Sequence, residues 1–144
     1  KTDGSSTIGF GTLLATPATQ AQQETGTSVL AAVTPGRQQY HTSAAKAWVL
    51  FDSTGTPNIR VSYNVTSVTD NGTGDITVNF TTAFSTADYA FVAMAGNSSG
   101  TSCFTMQASN SAVPTTTACR TLTVNNSDAT TDNNRIGIVF FGDQ

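Results

Sequence analysis

From Ala45 onward the chain is written in short apolar or alternating runs broken by polar turns about every ten residues. That rhythm constrains the fold more than any other feature. A period of two places successive side chains on opposite faces of a strand, whereas a helix needs apolar residues every three or four positions. The pattern predicts about seven strands, over residues 45–52, 58–69, 75–84, 89–97, 102–109, 119–125 and 135–141, packed as an antiparallel β-sandwich in an all-β fold. The third is the clearest, since Ile76, Val78 and Phe80 alternate with Thr77, Asn79 and Thr81. Just before it, Asp70-Asn71-Gly72-Thr73-Gly74 supplies residues that tolerate positive φ, a strong hairpin signal.

Residues 1–44 follow no such rhythm and read as a lead-in and connector to a β-domain at 45–144. Residues 1–15 are rich in Gly and Ser and are expected to be extended. Thr16 suits a helix N-cap, Pro17 the first helical position and Gly26 the residue past the end, so one short helix is predicted over 17–24. A turn is expected at 33–36 and an irregular linker at 37–44. A chain that starts at Lys1 is expected to continue an upstream segment.

Two of the predicted strands are apolar on both faces. They are Ala47-Trp48-Val49-Leu50-Phe51 and the run from Ile136 to Phe141. An antiparallel sheet normally leaves one face wet, so a second apolar face calls for a cover. Either the lead-in and helix fold back over it, or copies of the chain associate through it.

Composition removes several function classes. Six Lys and Arg against nine Asp and Glu give a net charge of −3, with no basic stripe to neutralise a phosphate backbone, so nucleic acid is not an expected partner. No apolar run approaches the ~20 residues of a membrane helix, and membrane insertion is not expected. Cys103 and Cys119 sit near the starts of consecutive predicted strands, at opposite ends of a hairpin, so free thiols are expected rather than a bridge.

The candidate chemistry is weak. Gly96-Asn97-Ser98-Ser99-Gly100 matches the nucleophile-elbow string, which needs a helix after the serine, but Thr101 to Thr105 is β-like and the sole histidine is His41. Asp70 to Asp75 resembles half of a calcium loop without the closing bidentate Glu. His41 beside Tyr40 gives one metal ligand per chain, enough only if a threefold axis gathered three. The aspartates at 52, 70, 75, 88, 128, 132 and 143 fall mostly at turns, without an evident glycosidase pair. The expectation is a non-enzymatic binding domain with no catalytic residues, no cofactor and no metal.

Ala15-Thr16-Pro17-Ala18-Thr19-Gln20-Ala21-Gln22-Gln23-Glu24-Thr25-Gly26-Thr27, followed by Val33-Thr34-Pro35, resembles the A-T-Q-A-E-x-E-x-G-T … V-T-P connector of bacteriophage tail fibre proteins. Lys46-Ala47-Trp48-Val49 to Thr56, and Ser62-Tyr63-Asn64-Val65 to Val92, resemble the β-rich domain that follows that connector. Gln22 departs from the pattern, where Glu is commoner, as does Leu30-Ala31-Ala32, where a lysine is often present. The similarity covers roughly residues 15–92. It implies a parallel homotrimer at a fibre tip, a virion location that becomes extracellular on release, and receptor binding to a bacterial surface glycan or protein. It also implies that Trp48 and Leu50, with Phe141 beside them, lie at a trimer interface.

If seven strands alternate direction, loops 53–57, 85–88 and 110–117 share the end away from chain entry. Ser53, Thr54, Thr56, Thr86, Asp88, Asn110, Ser111, Thr115 and Thr116 are then the candidate receptor contacts, because recognition usually sits on loops carried by a rigid scaffold. Loops 70–74, 98–101 and 126–134 form the alternative end. Such polar side chains suit a hydroxyl-rich saccharide. Two other readings fit the same sequence, a structural trimerisation or virion-decoration domain without receptor binding and a glycan-cleaving fibre enzyme. A monomeric carbohydrate-binding module is the outlier.

Overall fold

The computed structural model describes residues 16–28, 31–97, 104–109 and 111–144. The chain divides into two compact units, one ending at His41 and one spanning Thr42–Gln144.

The first unit carries helix α1, Gln20–Thr25, which starts later than the sequence reading placed it. The Thr19 side chain accepts from the Gln22 amide at 3.2 Å, and the Gln22 side chain accepts from the Thr19 amide at 2.9 Å. This reciprocal capping box needs Glu or Gln three residues after the cap, which Thr19 has and Thr16 lacks. Pro17 is instead drawn into a parallel bridge with Ala32. Gly26 ends the helix in the left-handed region at φ 63°, as its position suggested. A 3₁₀ turn, Gln38–Tyr40, follows, with the Arg37 guanidinium 5.7 Å from the Tyr40 ring centroid.

The second unit is made of strands: β1 Ala47–Asp52, β2 Asn58–Tyr63, β3 Val65–Gly72, β4 Asp75–Phe80, β5 Ala90–Gly96, β6 Phe104–Ala108, β7 Ala118–Asn125 and β8 Arg135–Phe141. They form two four-stranded sheets in the orders β2-β1-β8-β5 and β3-β4-β7-β6, antiparallel at every pairing. The core between them takes Ala47, Val49 and Phe51 from β1 and Ile136, Ile138 and Phe140 from β8. The second sheet supplies Ile76, Val78 and Phe80 from β4 and Cys119 from β7. Each large side chain buried in this way contributes about 1.5–3 kcal/mol. Phe80, Phe84, Tyr89 and Phe140 close one end of the core with mostly edge-to-face contacts, at centroid separations of 4.6–5.9 Å.

The fold corrects the strand count. Residues 58–69 are two strands rather than one, because Asn64 adopts φ 54° and hands the chain from the first sheet to the second. Asn is among the few residues that tolerate this backbone region. Its side chain donates to the Lys46 carbonyl at 3.0 Å and the Thr82 carbonyl at 3.2 Å, and accepts from the Thr82 amide at 2.7 Å.

That crossing reverses the direction of every later strand relative to a simple alternation. Loop 53–57 therefore lies at the end opposite chain entry together with 72–74, Asn97 and 126–134, while 81–89, 109–117 and 142–144 lie at the entry end. Loops 53–57, 85–88 and 110–117 do not share an end. Hydrogen bonds tie each end together separately. Ser53 binds Asn133, and Gly74 binds Asp132 at the far end; at the entry end Ser85 binds Asp143 and Phe84 binds Thr116.

The 70–74 segment does form the β3–β4 hairpin, with Gly72 at φ 137° and Gly74 at φ 67°. Gly74 is required twice over. Beyond its φ, a Cβ there would meet the Thr131 amide and would sit 2.7 Å from the Thr123 carbonyl.

Candidate functional site

Each sheet turns one face to the core and one outward, and the two outward faces differ in chemistry. On the second sheet the outward row of β4 is Asp75, Thr77 and Asn79, opposite Thr69 and Ser67 of β3 and Arg120 of β7. These side chains satisfy one another. The Asn79 amide donates to Ser67 and Thr69, both at 3.0 Å, and Asn71 donates to Thr77 at 2.9 Å. Arg120 grips Asp75 with two hydrogen bonds, Nε at 2.8 Å and Nη2 at 2.6 Å. That bidentate pair holds the Asp75 carboxyl below the usual carboxylate range and raises Arg120.

On the first sheet the register lines up two apolar rows across all four strands. One runs Tyr63, Trp48, Val139, Val92 and the next Val61, Leu50, Gly137, Met94. Phe141 and Ala90 continue the face toward the entry end. Val92 and Met94 are 66% and 57% exposed, and Val61 and Tyr63 are 47% and 46% exposed, while Trp48, Leu50 and Phe141 are half-buried. Trp48, Leu50, Val92, Met94, Gly137 and Val139 line a shallow apolar depression of about 360 Å³. The three residues expected at a subunit contact thus share one face. Val61, Tyr63, Val92 and Met94 belong to it as well and were not singled out. Their signal was present in Phe91-Val92-Ala93-Met94-Ala95, which is apolar on both alternating faces, as β1 and β8 are.

Toward the far end the next row changes character to Asp52, Arg135 and Gly96, with Arg60 at the β1–β2 register shift beside them. Arg60, Gly96, Asn97, Asn134 and Arg135 line an open cleft of about 480 Å³. Arg60 Nη2 donates to the Asn134 carbonyl at 2.5 Å and approaches the Asp52 carboxylate at 3.4 Å, and the Asn97 side chain accepts from the Asn134 amide at 3.0 Å. Asp52 is held below the usual carboxylate range chiefly by the Thr54 hydroxyl and amide, with Arg60 adding to the effect. No carboxylate among the described residues pairs with Arg135.

The nine candidate receptor contacts separate between the two ends. Ser53, Thr54 and Thr56 stand at the far end, and Thr86, Asp88, Ser111, Thr115 and Thr116 at the entry end, while Asn110 lies outside the described residues. Ser53 is buried, and its hydroxyl donates to the Asn133 carbonyl at 3.2 Å and accepts from the Asn133 amide at 3.0 Å. Thr54 caps Asp52. Thr115 closes its own turn by accepting from the Ala118 amide at 3.0 Å, and the Tyr89 hydroxyl braces the same loop through the Thr115 and Ala118 carbonyls. Thr56, Thr86 and Asp88 are exposed.

Ser98 of the elbow string and Cys103 fall outside the described residues. Cys119 is a free, buried thiol pushed up by that burial, with the Tyr89 hydroxyl acting in the opposite sense. Among the described residues no three His, Cys, Asp or Glu side chains cluster as metal ligands. Asp52, Asp70, Asp75 and Asp132 each serve a local turn, an ion pair or a backbone amide.

The class that fold and face define, over the described residues, is a mostly β protein of two four-stranded antiparallel sheets with one short α-helix, sandwich-like in its core. The chain matches no protein-family model, no curated protein and no solved structure.

Proposed function

We propose that this chain is the non-enzymatic tip domain of a bacteriophage tail fibre, that it assembles as a homotrimer through the outward face of the first sheet, and that it attaches the virion to a bacterial surface glycan. The observation that carries the reading is that face. Two uninterrupted apolar rows span four strands without a charged residue. Exposed apolar surface of this extent marks an interaction site.

The occupant we assign is a second and third copy of this chain. A face without charge has nothing to select a charged partner. Its distal rim carries Asp52, Arg60 and Arg135, the apolar-centre, polar-rim anatomy of protein interfaces. The resemblance of residues 15–92 to fibre proteins supports the same assembly. Hydrogen bonds from neutral loop side chains are worth about 1 kcal/mol each, so weak single sites would gain from threefold avidity.

Light scattering coupled to size exclusion tests the assembly, with three times 14.9 kDa expected. Binding of the labelled chain across a panel of bacterial strains, and its competition with phage adsorption, tests the attachment. A trimer that binds no strain would favour the structural reading, and release of reducing ends from a surface polysaccharide would favour the enzyme.

A further inference from the structure

Resting on that attachment reading, we infer that the cleft formed by Arg60, Arg135, Asn97 and Asn134 is a receptor subsite for an acidic saccharide, one whose ring carries a carboxylate or a phosphate. The chain as a whole is acidic, with six Lys and Arg among 144 residues and a net charge of −3. Two of those six cations line this one cleft. Among the described residues the carboxylate that reaches it is Asp52, which has one oxygen committed to the amide and hydroxyl of Thr54 and the other 3.4 Å from Arg60, and none of their carboxylates forms an ion pair with Arg135.

The cleft is also placed and shaped for a ligand. Arg60 is anchored through the Asn134 backbone carbonyl, and the Asn97 side chain through the Asn134 backbone amide, so one guanidinium and one side-chain amide are held beside strand ends. Gly96 stands directly opposite Arg135, and a side chain there would project into open space. Its absence keeps the floor of the cleft clear. Guanidinium groups offer paired N–H donors that fit an oxyanion, and the Asn97 side chain, whose oxygen is held by the Asn134 amide, can donate its N–H to a ring hydroxyl. A neutral hexose would use only that amide. Recognition is therefore expected to discriminate by charge and to weaken as salt is added.

The test titrates the whole chain, labelled at the arginine side chains, with glucuronate, glucose 6-phosphate and glucose, following the arginine Nε–Hε resonances. Shifts at both Arg60 and Arg135 with the two anionic sugars, and none with glucose, are the expected result; the tighter of the two anions identifies the receptor group. Arg135→Ala and Gly96→Leu, the second filling the cleft while keeping both charges, should each weaken binding roughly tenfold or more. Equal response to glucose, silence at both arginines, or unchanged binding in both variants would overturn the site. The bacterial panel separates this result from the parent reading. Strain binding that survives both substitutions removes the subsite and leaves attachment standing, whereas uronate binding through both arginines in a chain that binds no strain keeps the subsite and removes attachment.

Discussion

The outward faces of the two sheets share strand geometry and a common core, yet over β3, β4 and Arg120 one is a network of Ser, Thr, Asn, Asp and Arg, with Leu122 and Val124 beside it, and the other is two rows of Trp, Tyr, Leu, Val and Met. In the polar network side chains find partners within the sheet, as Asn79 does in Ser67 and Thr69, and Arg120 in Asp75. On the apolar face Val92 and Met94 stand exposed and gain nothing from solvent. The polar network offers partners to its own side chains, whereas the apolar rows are where the proposed trimer would pack.

The largest expected effect comes from placing a charge on the apolar face. Val92→Glu adds a carboxylate at a position already 66% exposed, so the domain should fold, while the mass read by light scattering should drop from three times 14.9 kDa to 14.9 kDa. Thr69→Glu on the opposite face should leave the trimer intact; if both variants dissociate it, or neither does, the two faces are not distinguished in the way assigned here.

A smaller effect is expected where the chain passes between the sheets. Asn64→Ala loses three side-chain hydrogen bonds and places a Cβ residue without a local polar partner at φ 54°, which should cost about 2 kcal/mol in urea unfolding. Asn64→Gly should recover part of that loss by relieving the backbone alone.

Next is the inward face of β7. The Thr121 hydroxyl is fully buried without a hydrogen-bond partner, so Thr121→Val should stabilise the domain by about 1 kcal/mol, read as a higher urea midpoint at unchanged slope.

The smallest effect belongs to the polar face. Asp75 sits below its usual pKa because Arg120 holds it, so the stability it adds is present above the unfolded carboxylate value near ~3.9 and is lost as pH falls through the lower folded value. Asp75→Asn should cost under about 1 kcal/mol at neutral pH for this partly exposed pair, and the difference from the parent should close in acid.

How far the sequence could be read is clear from particular strands. In β4 the alternation of Ile76, Val78 and Phe80 with Thr77 and Asn79 told both the element and its inward face, and the glycines at 72 and 74 told the hairpin that precedes it. In β7 the same logic misleads. Leu122 and Val124 look like core residues, yet they point outward with Arg120 while Cys119, Thr121 and Thr123 point in, since a period of two puts all three of the former on the side of Asp75.

Composition, the turn residues and the two-residue period were enough to determine an antiparallel all-β domain, its approximate strands, and the double apolar character of β1 and β8. These are local properties, set by backbone sterics and by the burial that alternate side chains require. Which loops share an end was decided only by tertiary structure, through the change of sheet at Asn64, since a single positive φ inside an otherwise strand-like run leaves no mark in hydrophobic pattern. The convergence of Arg60, Asn97, Asn134 and Arg135 was equally beyond the sequence. Those residues come from three strand ends, and only the β2-β1-β8-β5 order, a product of long-range pairing, brings them into one cleft.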